Sequence, residues 1–181
     1  MFKIINTKRD WHVLQFFLDN PTTQIHLRGL AKELKISFGW LSLNLPRLVK
    51  SGLLLKKESL GGRLHLLQAN RDSSLFQRLK TSTNLFALHD SGFLDALIAA
   101  YHQPECIVLF GSYRRGEDTE ESDIDIAIIT ALRPKKDWSS FEQKLQRNIK
   151  IIELQKKRIE PEFMNTLANG IVVYGYLDVR P

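Results

Sequence analysis

Gly111-Ser112-Tyr113-Arg114-Arg115-Gly116, followed by Asp123-Ile124-Asp125, is the stretch whose reading decides the fold of the C-terminal half. The β-branched and aromatic run Ile107-Val108-Leu109-Phe110 leads into it and reads as a short buried strand. Gly111 lets the chain turn tightly and brings a backbone amide close to a phosphate with no side chain in the way. Ser112 adds a hydroxyl and a second amide. Tyr113-Arg114-Arg115 reads as the start of a short helix, whose N-terminus favours anions. Ile124, Ile126 and Ile128 alternate with Asp123, Asp125 and Ala127, which is the period of a strand with one apolar face and one face carrying both carboxylates. Like charges so placed repel unless a cation compensates them. Mg²⁺ suits such a donor set, because it commonly takes one or two carboxylates together with substrate phosphates.

Further elements follow from pattern. Ser139–Asn148 reads as a helix, and Ile149-Lys150-Ile151-Ile152-Glu153-Leu154 as a third strand with Ile149, Ile151 and Glu153 on one face. A helix over Pro161–Ala168 and a last strand over Gly170–Gly175 complete the unit. Gly111-Ser112, ten intervening residues and then Asp123-x-Asp125 resemble the signature of the minimal nucleotidyltransferases of the DNA polymerase β superfamily. The ending Asn169-Gly170-Ile171-Val172-Val173-Tyr174-Gly175 is similar too. The resemblance spans about residues 85–181. It implies that Gly111 and Ser112 hold the β and γ phosphates of a nucleoside triphosphate, and that Asp123 and Asp125 bind divalent metal, Mg²⁺, with ATP as the expected donor. Arg114 or Arg115 would neutralise the leaving pyrophosphate. In the family a third carboxylate, commonly aspartate, sits on a later strand, and Glu153 is the expected match here, with an extra methylene in its reach.

The N-terminal part carries a different chemistry. Residues 1–80 hold 14 Lys and Arg against 5 Asp and Glu, a formal +9, whereas residues 81–181 hold 12 against 15, a formal −3. A basic front half can meet phosphate backbones through its cationic field. Trp11, Leu14 and Leu18, widened by Val13, Phe16 and Phe17, give a first helix over Lys8–Leu18. Leu27, Leu30, Ala31 and Leu34 give a second. Ser37 is an N-cap candidate for a third, with Leu41, Leu45 and Leu48 inward and Gly52 just past its end. Leu53–Leu55 and Leu64–Leu67 around Gly61-Gly62 read as a β-hairpin.

The stretch from Ile36 to Leu53, above all Arg47-Leu48-Val49-Lys50-Ser51-Gly52-Leu53, resembles the recognition helix of winged helix-turn-helix domains in prokaryotic regulators. The likeness covers about residues 8–70. It implies that the third helix enters the major groove of double-stranded DNA, with Ser37, Gly39, Trp40, Asn44 and Arg47 as base-side contacts and Lys50, Lys56, Lys57 and Arg63 nearer phosphates. Pro46 inside that helix removes a donor and predicts a kink costing about 3 kcal/mol. With bulky Phe38 and Trp40 beside it, a winged helix used for dimerisation or docking is the alternative.

Composition sets the frame. At 181 residues, 43% hydrophobic and 25% charged, the chain fits a soluble globular protein of one or two domains. No apolar run approaches the roughly 20 residues that span a bilayer. One cysteine, Cys106, excludes an intrachain disulfide framework and fits a reducing cytoplasm, with Cys106 itself reading as a small buried hydrophobe. The five histidines are scattered, so no zinc site is expected. The expected class is α+β: a winged helix-turn-helix over 1–70, a helical connector over 71–84, and a polymerase β-like nucleotidyltransferase domain with a short mixed sheet over 85–181. The resemblance implies a Mg²⁺-dependent protein nucleotidyltransferase moving AMP from ATP to a protein hydroxyl. Its implied setting is that of an antitoxin paired with a small all-helical HEPN ribonuclease. The competing reading is a DNA-binding regulator whose nucleotidyltransferase domain senses nucleotide or partner with little turnover. A homo-oligomer is compatible with either.

Overall fold

A computed structural model describes residues 5–58 and 65–179, which divide into two compact units, 1–79 and 80–181. The expected Gly61-Gly62 turn, with Arg63 and Leu64, lies outside the described residues.

In the first unit the order is α1 (Lys8–Asp19), β1 (Ile25–His26), α2 (Leu27–Glu33), α3 (Phe38–Lys50), β2 (Leu54–Glu58) and β3 (His65–Ala69). The three strands form an antiparallel sheet in the order β1-β3-β2. Thr7 opens α1 with a reciprocal cap: its hydroxyl accepts from the Asp10 amide, and the Asp10 carboxylate accepts from the Thr7 amide. The buried stripe of α1 is Asp10, Val13, Leu14, Phe17 and Leu18; Trp11, expected inside, is 38% exposed. Leu30, Leu41, Leu45 and Leu48 close the core against it. The helix α3 runs on through Pro46. Pro46 and Ser42, whose carbonyl would have received the missing amide, are both exposed, and the helix is not interrupted.

The helix α4 (Ser74–Asp90) covers most of the 71–84 stretch expected as a helical connector; Phe76 belongs to the first core and Leu88 to the second. Gly92, at φ +76°, ends it and opens α5 (Phe93–Ala100). The second unit continues with β4 (Cys106–Phe110), α6 (Gly111–Arg115), β5 (Ile124–Ile129), α7 (Ser139–Leu145), β6 (Ile149–Leu154), a 3₁₀ turn at Lys156–Arg158, α8 (Pro161–Ala168) and β7 (Ile171–Gly175). Its sheet is mixed, in the order β6-β5-β4-β7: β4 runs antiparallel to β5 and β7, and β5 parallel to β6. One face, with Ile107, Leu109, Ile124, Ile126 and Ile128, packs on Leu88, Phe93 and Leu97. The other, with Cys106, Val108, Ala127 and Ile129, packs on Leu167. The sheet is therefore apolar on both sides. Cys106 is buried, which pushes its thiol up to about 11. Among the described residues no helix is long and apolar enough to cross a membrane.

Candidate active site

The end of β4 and the start of β5 build the site. Phe110 and Asp125 are register partners, so Gly111 follows directly beside the Asp125 side chain. Gly111 has φ +74°, and a Cβ there would collide with the Asp125 carboxylate. Glycine is thus required twice, by backbone conformation and by the carboxylate that fills the side-chain space. Asp123 and Asp125 sit on the face opposite Ile124 and Ile126, as the alternation predicted. Burial pushes the Asp125 carboxyl above the ordinary range and repulsion from Asp123 adds to it, while Lys150 and Arg115 oppose. Asp123 behaves oppositely: donors on Lys150 and Asn148 hold its carboxyl below that range.

Among the described residues β6 brings no carboxylate to this face. The parallel register pairs Asp125 with Lys150 and Ile128 with Glu153. Paired residues on adjacent strands share a face. Glu153 therefore lies with Ile126 and Ile128, on the helix-covered side, and not with Asp123 and Asp125. There it accepts a hydrogen bond from the Tyr101 hydroxyl at 2.8 Å and faces Arg133 at 3.8 Å. Burial, with the Glu153 carboxylate next, raises the Tyr101 hydroxyl well above its ordinary value. The expectation that Glu153 completes the metal site is corrected by this register. In its stead Lys150 places its Nζ 2.5 Å from Asp123 Oδ2. Among the described residues no three His, Cys, Asp or Glu converge.

A family model described as polymerase beta, nucleotidyltransferase, matches residues 94–176. The second unit carries a polymerase β-like nucleotidyltransferase domain. Among solved structures the chain is similar to one described as a possible transcriptional regulator from Methanosarcina mazei Go1. The identity is 20% over 51% of this chain and 78% of that one, with a TM-score of 0.37, too low to add to the fold argument. No curated protein matches.

A nucleotidyltransferase domain generally uses a nucleoside triphosphate and a divalent metal. The donor set here fits one such ion: two carboxylates on one face beside a glycine turn. Arg115 lies in the field of Asp125 and pairs with Glu117 at 2.6 Å, both exposed. The Arg114 backbone carbonyl accepts from the Thr81 hydroxyl at 3.1 Å. That contact belongs to a set that sequence reading missed. On α4, Asn84 donates to the Tyr113 carbonyl and to Asp118, each at 2.8 Å, and Lys80 pairs with buried Asp118 at 3.0 Å. These contacts fix the Gly111–Arg115 helix and the loop after it. Their sequence signal is two polar residues four apart, Lys80 and Asn84, interrupting an apolar stripe.

In the first unit the expected DNA contacts separate. Ser37 is exposed and caps α3, accepting from the Trp40 amide at 3.2 Å. Nothing lies within 4 Å of where a Gly39 side chain would project. Trp40 is half-buried under the Arg9 guanidinium, and Asn44 turns back to the Trp40 carbonyl at 2.8 Å. Arg47 pairs with the buried Asp10 carboxylate at 2.5 Å. Lys50, Lys56 and Lys57 are exposed, and Arg63 lies outside the described residues. The face of α3 also exposes Phe38 (46%) and Leu43 (81%).

Proposed function

We propose that the second unit is a Mg²⁺-dependent nucleotidyltransferase that binds ATP and passes AMP to a protein hydroxyl, and that the first unit is a winged helix that binds DNA. The observation that carries the first part is the closure of Gly111 on the Asp125 carboxylate, with Asp123 on the same face, in a domain matched by a nucleotidyltransferase family model. Gly111 and Ser112 bind the terminal phosphates through amides and the Ser112 hydroxyl. Asp125, with Asp123 on the same face, would hold the divalent ion, which would supply charge neutralisation at the α-phosphate and at the leaving group. Arg115, whose charge reaches Asp125, would offset charge on the departing pyrophosphate. In the transfer the acceptor oxygen forms a bond to the α-phosphorus, the bond from that phosphorus to the β-phosphate oxygen breaks, pyrophosphate leaves, and the hydroxyl proton passes to solvent.

The sequence resemblance supports a HEPN-type ribonuclease tyrosine as acceptor and an antitoxin role. The order α1-β1-α2-α3-β2-β3, with its three-stranded antiparallel sheet, supports the winged helix. With Arg47 engaged by Asp10, the exposed cations Lys50, Lys56 and Lys57 favour phosphate contact over base reading. A second reading, a nucleotide-sensing regulator with little turnover, is favoured by one specific observation: Lys150 stands where a third carboxylate would serve. The test is incubation with Mg²⁺, α-labelled ATP and the protein encoded beside this chain. Label on the partner that is lost in Asp125→Asn supports transfer. Nucleotide binding without label on any protein supports the sensor.

A further inference from the structure

The sheet places a lysine where the chemistry of the site calls for an anion. Three residues on and beside β6 point to the carboxylate face in even register: Asn148, Lys150 and Ile152. None is acidic. Lys150 is the direct partner of Asp125 and reaches Asp123 Oδ2 at 2.5 Å, and both Asp123 and Asp125 feel its charge. The formal charge of Asp123, Asp125 and Lys150 together is one negative unit, where a carboxylate at position 150 would make it three. A second divalent ion would call for more negative charge and a further oxygen ligand. One ammonium and one divalent ion would not.

We propose that the Lys150 ammonium is the resident cation of this carboxylate pair, taking the place of one of two divalent ions, so that a nucleotide enters with a single ion. The proposal rests on the nucleotide-binding reading above. Asp125, which no side-chain donor reaches among the described residues, and the nucleotide phosphates hold that single ion, while Asp123 is neutralised from within the protein. Lys150 sits on the edge strand of the sheet with its side chain 63% exposed, so replacing it leaves the core untouched.

The test counts ions. The full chain is dialysed to equilibrium with Mn²⁺ and α,β-methylene-ATP, and bound Mn²⁺ is measured against bound nucleotide by electron paramagnetic resonance. Wild type should hold one Mn²⁺ per nucleotide and Lys150→Asp two. Lys150→Met, which frees Asp123 without adding a ligand, should bind the first Mn²⁺ several-fold more tightly. Two Mn²⁺ per nucleotide in wild type, or one in Lys150→Asp, would overturn the stand-in role while leaving nucleotide binding intact. A tenfold loss of nucleotide in Lys150→Met at an unchanged ion ratio would overturn it also, assigning Lys150 to the phosphates. Absence of both Mn²⁺ and nucleotide from wild type and all variants would sink the nucleotide reading itself, and this proposal with it.

Discussion

Asp10 in the first unit and Asp125 in the second are both removed in part from water, and their surroundings differ in kind. Asp10 is wholly buried, and its carboxylate accepts from the Asn6 and Thr7 amides, the Thr7 hydroxyl and the Arg47 guanidinium. Burial alone would raise its carboxyl, but these donors outweigh it and hold the group below its ordinary value. Asp125 is half-buried, no side-chain donor reaches it among the described residues, and burial leaves its carboxyl raised. The first aspartate has both carboxylate oxygens engaged by donors of the protein and holds a helix start to α3. The second is left for something that arrives. A satisfied carboxylate marks architecture; one kept short of donors beside a glycine turn marks a site.

Substitutions can break this contrast. The largest effect is expected at Asp10. Asp10→Ala strands the Arg47 guanidinium and the Asn6 and Thr7 amides, and should cost about 3 kcal/mol in chemical denaturation of the first unit. Nucleotide binding by the second unit should persist. Gly111→Ala is next. The left-handed backbone and the displaced Asp125 carboxylate should weaken nucleotide binding about tenfold by calorimetry, in line with about 1–3 kcal/mol of local strain. The third probe is pH. Because the Asp10 carboxyl is depressed on folding, its stabilisation is present above its unfolded value of 3.8 and is lost as the pH falls through the lower folded value. The stability advantage of wild type over Asp10→Asn should therefore be constant near neutrality and shrink below pH 3.8, as followed by circular dichroism. The smallest effect should come from Glu153→Gln. Losing the charged partner of Tyr101 should cost about 1 kcal/mol of stability and leave nucleotide and metal affinity unchanged. A loss of metal there would mean that the β6 register is wrong.

The same contrast explains what the sequence made legible. On β5 the alternation of isoleucine with Asp123 and Asp125 declares which face is which, because one side is polar at its start. The strand β6 gives no such cue. Ile149, Ile151 and Ile152 place apolar residues on both faces of a sheet buried from both sides, so the parity of Glu153 cannot be read without its partner strand. Lys150 was the overlooked signal, a cation in even register two residues after Asn148. The helices of the first unit were legible from their leucine stripes, and Leu41, Leu45 and Leu48 are all buried. The role of Arg47 was not, because its partner lies 37 residues away in sequence. Thr7-x-x-Asp10, a cap sequence, was the local hint that Asp10 belongs inside.

The central claim is that Asp125 is kept open for a metal-bound nucleotide. Isothermal titration of the full chain with Mg²⁺–ATP, beside Asp125→Asn and beside wild type in excess chelator, tests it most directly. The account predicts binding by wild type that needs the divalent ion and falls at least about tenfold in Asp125→Asn with the fold intact. Equal affinity in the two proteins, or binding that survives removal of the metal, would contradict it.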